Sequence, residues 1–157
     1  MAGTLKVKIQ EDIILDNQDY GSKRVFEISS IANILKRIVT IASDDDATVL
    51  VFKSTTASAD GALDLQNVKY IRITNLDSSN SVNISLQLDS GEDNSAADLS
   101  VTHLLEAGRS FLMGAPDEGA HADDDSATIV TALTDLESII VDPGSNSGQV
   151  EVFVAST

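Results

Sequence analysis

Short runs rich in Val, Ile, Leu and Thr recur along this chain, each closed by a cluster of Asn, Asp, Ser or Gly, and that rhythm constrains the fold more than any other feature. Leu5, Val7 and Ile9 alternate with Lys6, Lys8 and Gln10, while Val82, Ile84, Leu86 and Leu88 alternate with Asn83, Ser85 and Gln87. Successive side chains of a pleated strand point to opposite faces, so each pattern describes a strand with one face turned to a core. Similar runs lie at 23–29, 37–42, 47–53, 68–74, 99–105, 110–113, 128–131, 137–141 and 149–155. The segments between them, such as 16–21, 75–80, 106–109 and 142–148, carry residues whose side chains bond locally to backbone or that accept positive φ. About ten short strands punctuated in this way predict an all-β protein, an antiparallel β-sandwich of jelly-roll type forming a single domain over 1–157.

Local patterns make sharper expectations. The turn formers at 75–80 predict that strands 68–74 and 81–88 pair antiparallel with each other. Val49, Leu50, Val51 and Phe52 form a run without a polar member, which predicts a strand covered on both faces. Ile31, Ile34, Leu35 and Ile38 follow helical spacing behind Ser30, a good capping residue, so a short turn of helix is expected there. Ile129, Leu133 and Leu136 share that spacing, but the Thr and Ile content around them favours strand. With 4% aromatic residues and no Trp, the core must be built from aliphatic side chains.

Charge divides the chain. Residues 1–72 hold 9 bases against 10 acids, a net of −1, whereas 73–157 hold Arg109 against 15 carboxylates, a net of −14. A surface so acidic repels phosphate, which disfavours nucleic acid and anionic membranes as partners. No Cys is present, so disulfides, thiolate metal sites and a Cys nucleophile are excluded. The first residues lack a basic segment followed by an apolar run, and no stretch reaches the roughly 20 apolar residues of a membrane span, which predicts synthesis in a cytoplasm.

Catalytic patterns are missing: there is no Gly-x-Ser-x-Gly elbow, no phosphate-cradling Gly-rich loop and no partnered His. His103 alternates with Val101 and Leu105, as a half-buried packing residue would, and His121 falls in an acidic loop open to solvent. The chain therefore reads as non-enzymatic, with no catalytic residue and no cofactor. Calcium is the one exception, because hard cations take clustered carboxylates from irregular loops. Its candidate ligands are Asp44, Asp45 and Asp46, and Asp123, Asp124 and Asp125; neither trio has EF-hand spacing.

One stretch resembles a family. Val68, Tyr70, Ile71, Arg72, Ile73, Thr74, Asn75, Leu76 and Asp77, a polar strand, and then Leu105, Glu106, Ala107, Gly108, Arg109, Ser110 and Phe111 resemble small virion structural proteins of tailed bacteriophages, marine and cyanophage-like ones in particular. The likeness spans mainly 68–113, with a weaker echo in 21–39 and the terminal strand. It implies a virion component made in the host cytoplasm: a capsid decoration (cement) protein, or else a tail or neck accessory. Such a component would associate with itself and with the major capsid protein or tail proteins. From the charge asymmetry, Lys6, Lys8, Lys23, Arg24, Lys36 and Arg37 are expected to dock on an acidic shell while the acidic half faces water. A carbohydrate-binding or adhesive β-sandwich is the alternative of another class, with Tyr20 and Tyr70 as its only tyrosine platforms.

Overall fold

The computed structural model describes residues 2–53, 61–89, 99–122 and 133–157. Its thirteen strands among those residues include eight that form two packed sheets: β5 (Asn33–Ile41), β6 (Ala47–Lys53), β8 (Val68–Asn75), β9 (Val82–Asp89), β10 (Leu99–Leu105), β11 (Ser110–Met113), β12 (Asp135–Asp142) and β13 (Gly148–Ser156). One sheet runs β10-β9-β12-β6, extended by the short parallel β7 (Leu63–Asp64), and the other runs β11-β8-β13-β5. The pairing is nested. β9 meets β10, β8 meets β11, β6 meets β12 and β5 meets β13, all antiparallel, so the chain behaves as one long hairpin rolled up on itself. That is the jelly-roll form of the all-β sandwich.

Rolling explains a correction. β8 and β9 do not pair with each other; β8 lies between β11 and β13 while β9 lies between β10 and β12. Consecutive strands on the outgoing limb of a rolled hairpin pass to opposite sheets, so residues 76–81 bridge the two sheets as an arch. Asn75, wholly buried, holds the arch: its amide donates to the Asn80 carbonyl at 2.8 Å and the Leu105 carbonyl at 3.2 Å and accepts from Asp77 N–H at 3.0 Å. Asp77 accepts in turn from the Ser79 and Asn80 amides, and those bonds hold its carboxyl below the usual aspartate range.

The core is aliphatic, as the composition requires. Val82, Ile84, Leu86 and Leu88 of β9 face Val150, Val152 and Val154 of β13 across the sandwich within one buried cluster. In β6 both Val49 and Leu50 are buried, although Val51 is half-buried, because a bulge opposite β12 leaves Val49 as an extra residue between the Thr48 and Leu50 pairs.

No helical turn forms at 31–38. Ser30 takes φ 63° within β4 (Ser22–Ile31), where the register against β1 shifts, and after a break at Ala32 the segment continues extended as β5. Leu35 packs against the core while Ile34 and Ile38 sit on the outer face of an edge strand, 52% and 59% exposed. Apolar residues on both faces of one strand imitate helical spacing. Among the described residues a 3-10 turn, Leu65–Asn67, stands before β8, capped by Asp64.

Ahead of the sandwich, β1 (Gly3–Glu11) and β4 pair as an antiparallel arm, continued by β2 (Ile14–Leu15) and β3 (Gln18–Asp19). Asp16 and Asn17 turn its tip, both at positive φ, 51° and 60°, as a two-residue hairpin loop of the favoured twist requires. Gly21 sits where the arm bends: a Cβ there would lie 2.6 Å from the Glu11 carbonyl oxygen. The arm is the strand pair anticipated at its start, but less buried. Leu5 and Val7 are half-buried and Ile9 is exposed.

Candidate functional site

Cross-strand partners share a face, so the register sorts the arm's side chains. Leu5 faces Ile28, Val7 faces Phe26 and Ile9 faces Arg24 on one side; Lys6 faces Glu27, Lys8 faces Val25 and Gln10 faces Lys23 on the other. The root of the apolar side packs on the outer face of β8 and β13, where Ile31, Tyr70 and Ala155 form a small second core with Leu5, Val7, Ile28 and Phe153. Tyr70 meets Phe153 edge-on at 6.1 Å between ring centroids, and the Arg72 guanidinium lies 5.6 Å over the Phe153 ring. Burial raises the Tyr70 hydroxyl above its ordinary value, partly countered by Arg72. Only 8% exposed beneath the arm, Tyr70 offers no stacking platform to a sugar.

Beyond this root the arm and the sheet diverge. Between them runs a cleft of about 330 Å³, walled by Leu5 to Ile9 along β1 and floored by Tyr70, Arg72, Leu112 and Phe153. Two of its lining residues are exposed and apolar, Ile9 at 38% and Leu112 at 44%, and Phe26, opposite Val7 on β4, is 43% exposed. Further out, the arm's tip displays Ile13, Ile14, Leu15 and Tyr20, 52–77% exposed.

The six bases grouped by sequence do not form one patch. Lys6 pairs with Glu27 at 2.6 Å, and Lys8 and Lys23 share its side of the arm, whereas Arg24 lies on the apolar side opposite Ile9. Lys36 lies on the outer face of β5 and bonds Glu151 at 3.1 Å; Arg72 bonds the same carboxylate. These cations, Lys36 foremost, hold the Glu151 carboxyl below its usual range. Arg37, next in sequence, faces the other way, and its guanidinium donates to the carbonyl of Val49, the bulge residue of β6. It ties the two sheets together at their edge.

Four connections gather at the end of the sandwich opposite the arm's root: 42–46, 76–81, 106–109 and 143–147. Asp44, Asp45, Asp46 and Asp142 line an open depression there. The calcium expectation for Asp44, Asp45 and Asp46 is not met by their geometry, because among the described residues no three acidic or imidazole groups gather as a metal-binding set. Asp45 instead accepts from the Asp46 amide at 3.0 Å, and Asp44 is held by φ 59° and a bond from its amide to the Gly144 carbonyl. Neighbouring aspartates on an irregular loop diverge. Asp123, Asp124 and Asp125 lie outside the described residues.

The histidines exchange the environments expected of them. His103 is exposed, with its ring 5.5 Å from that of Phe111, while His121 is half-buried beside the bridge between Ala120 and Thr134. The arm itself was visible as two alternating strands, but its stacking over β8 and β13 was not. Tyr70 and Phe153, far apart in sequence, give no local signal that something covers them.

No protein-family model matches the chain, and neither does any curated protein. Among solved structures, a chain described under the heading of Bacillus endospore appendages, a novel family of disulfide-linked pili, aligns with 79% of this chain and 88% of its own length, at 13% identity and a TM-score of 0.38.

Proposed function

We propose that this chain is a non-enzymatic structural subunit that joins a larger noncovalent assembly through its N-terminal arm. The observation that carries the reading is the arm's surface: Ile14 is 77% exposed, with Ile13, Leu15 and Tyr20 above half. Monomeric domains rarely leave a contiguous group of large apolar side chains in water, and such a group marks a surface that another protein covers.

The assembly in this proposal is the virion of a tailed phage, and the chain's place in it is that of a capsid decoration protein stabilising the head shell. The resemblance of residues 68–113 to virion structural proteins supports this finer step. Jelly rolls recur in virus shells and also in lectins, so the fold agrees with the role without selecting it. A place in the tail or neck is the second reading from the same resemblance.

Quantitative mass spectrometry of purified particles tests both. Copies in the hundreds fit shell coverage, whereas about six to twelve fit a ring in the neck or tail. A chain missing from the particle would end the virion reading. Full incorporation of a variant with Ile14, Leu15 and Tyr20 all changed to Ser would end the arm's role in it.

A further inference from the structure

We propose that the occupant of the cleft between the arm and the β8–β13 face is the arm tip of a second copy of this chain. The inference rests on the assembly reading above and names the partner. Two unpartnered apolar surfaces coexist on each molecule, one protruding and one recessed. Ile13, Ile14, Leu15 and Tyr20 protrude, and Ile9 and Leu112 line the recess.

Charge selects this pairing over others. Residues 11–21 contain Glu11, Asp12, Asp16 and Asp19 and no base, whereas the cleft lining includes Lys6, Lys8 and Arg72; Lys6 and Arg72 are already matched by Glu27 and Glu151, and Lys8 is the cation left over. Lys8 forms no ion pair among the described residues, so it is available to an incoming carboxylate, as is Arg24 outside the lining, on the neighbouring strand opposite Ile9. A symmetric alternative, two β1 edges pairing about Val7, would set Lys6 against Lys8 of the partner copy and so place like charges opposite each other. An acidic tip brought beside the unpaired Lys8 has no such conflict.

The tip cannot fill its own cleft. Glu11, where the tip begins, follows two residues after Ile9, which forms the cleft wall, and the strands between are continuous. An extended strand advances about 3.3 Å per residue and cannot double back over that length. A tip seated in a neighbour's cleft is a head-to-tail contact, which closes into rings or runs on as a filament according to the rotation between copies.

Sedimentation velocity on the full chain, over a series of concentrations, tests the proposal with two variants. One carries Ile14→Asp and Leu15→Asp at the tip; the other carries Ile9→Asp and Leu112→Asp at the cleft. All four positions are exposed, and circular dichroism melts confirm that each variant folds. The wild-type chain is expected to self-associate, each variant to weaken that association at least tenfold, and an equimolar mixture to form dimers through one intact tip and one intact cleft. Lys8→Glu should also weaken association, and Asp16→Lys in the same chain should restore part of it.

A mixture that stays monomeric, or a tip variant that associates as the wild type does, overturns the proposal. So does a wild-type chain that is monomeric at all concentrations. If that monomer still enters particles, and loses entry when its tip is changed, the assembly reading stands while the second copy is ruled out as the occupant.

Discussion

The sandwich and the arm use the same alternating strand pattern to opposite ends. In the sandwich every second side chain of β9 is buried, Ile84 and Leu88 completely, because a second sheet lies across from it. In the arm, Val7 and Ile9 alternate just as regularly, yet nothing lies across from the outer part, and Ile31, 6% exposed, is its only buried apolar residue. The pattern supplies a face; only a partner layer turns that face into a core. The outer part of the arm thus keeps an apolar face that has no partner within the chain.

The contrast predicts a graded series of effects on stability. Ile139→Ala, at a site with no exposure, should cost about 2–5 kcal/mol in a urea melt. Asn75→Ala should cost about 1–3 kcal/mol, since it strands the Leu105 carbonyl inside the arch. Arg37→Ala should cost about 1 kcal/mol by leaving the Val49 bulge carbonyl without its donor, and Arg37→Lys should recover part of that.

Glu151 gives a smaller effect with a pH signature. Its folded-state carboxyl is depressed, so the stability it contributes is fully present above the ordinary glutamate value of 4.5 and is lost as pH falls below it. The gap between wild type and Glu151→Gln in thermal melts should therefore narrow at acid pH. A gap that widened would show that the Lys36 and Arg72 contacts do not stabilise the fold. Smallest of all, Ile14→Ser should shift the stability of the isolated chain by less than about 0.5 kcal/mol. A large loss there would mean that the tip packs on its own sandwich after all.

The sequence disclosed strands and faces well because both are local. The inward set of β9 and the tight turn near Asp16 and Asn17 follow from residue types a few positions apart. Partner choice is not local. A short polar connection after β8 is as suitable for an arch between sheets as for a hairpin, and what decides is the distant return of β11 and β13 to flank β8. The six bases are spread over several faces for a related reason: Lys36 and Arg37 are neighbours in sequence, so an extended backbone sends them to opposite faces. Around Ile31 to Ile38, the misleading cue was outward apolar residues on an edge strand, whose spacing resembles a helical stripe.

Nested pairing also fixes an order of assembly. β9 and β10 are close along the chain, but Gln149 and Thr40, bonded across β13 and β5, stand 109 positions apart. Loop-closure entropy makes such distant contacts slow to form, so the roll should nucleate at its inner hairpin and zip outward, with β13 entering last between β5 and β8. Until that final strand arrives, both flanking edges stay unpaired, and the slowest step in folding is also the interval in which a nascent chain is most exposed to pairing with the wrong neighbour.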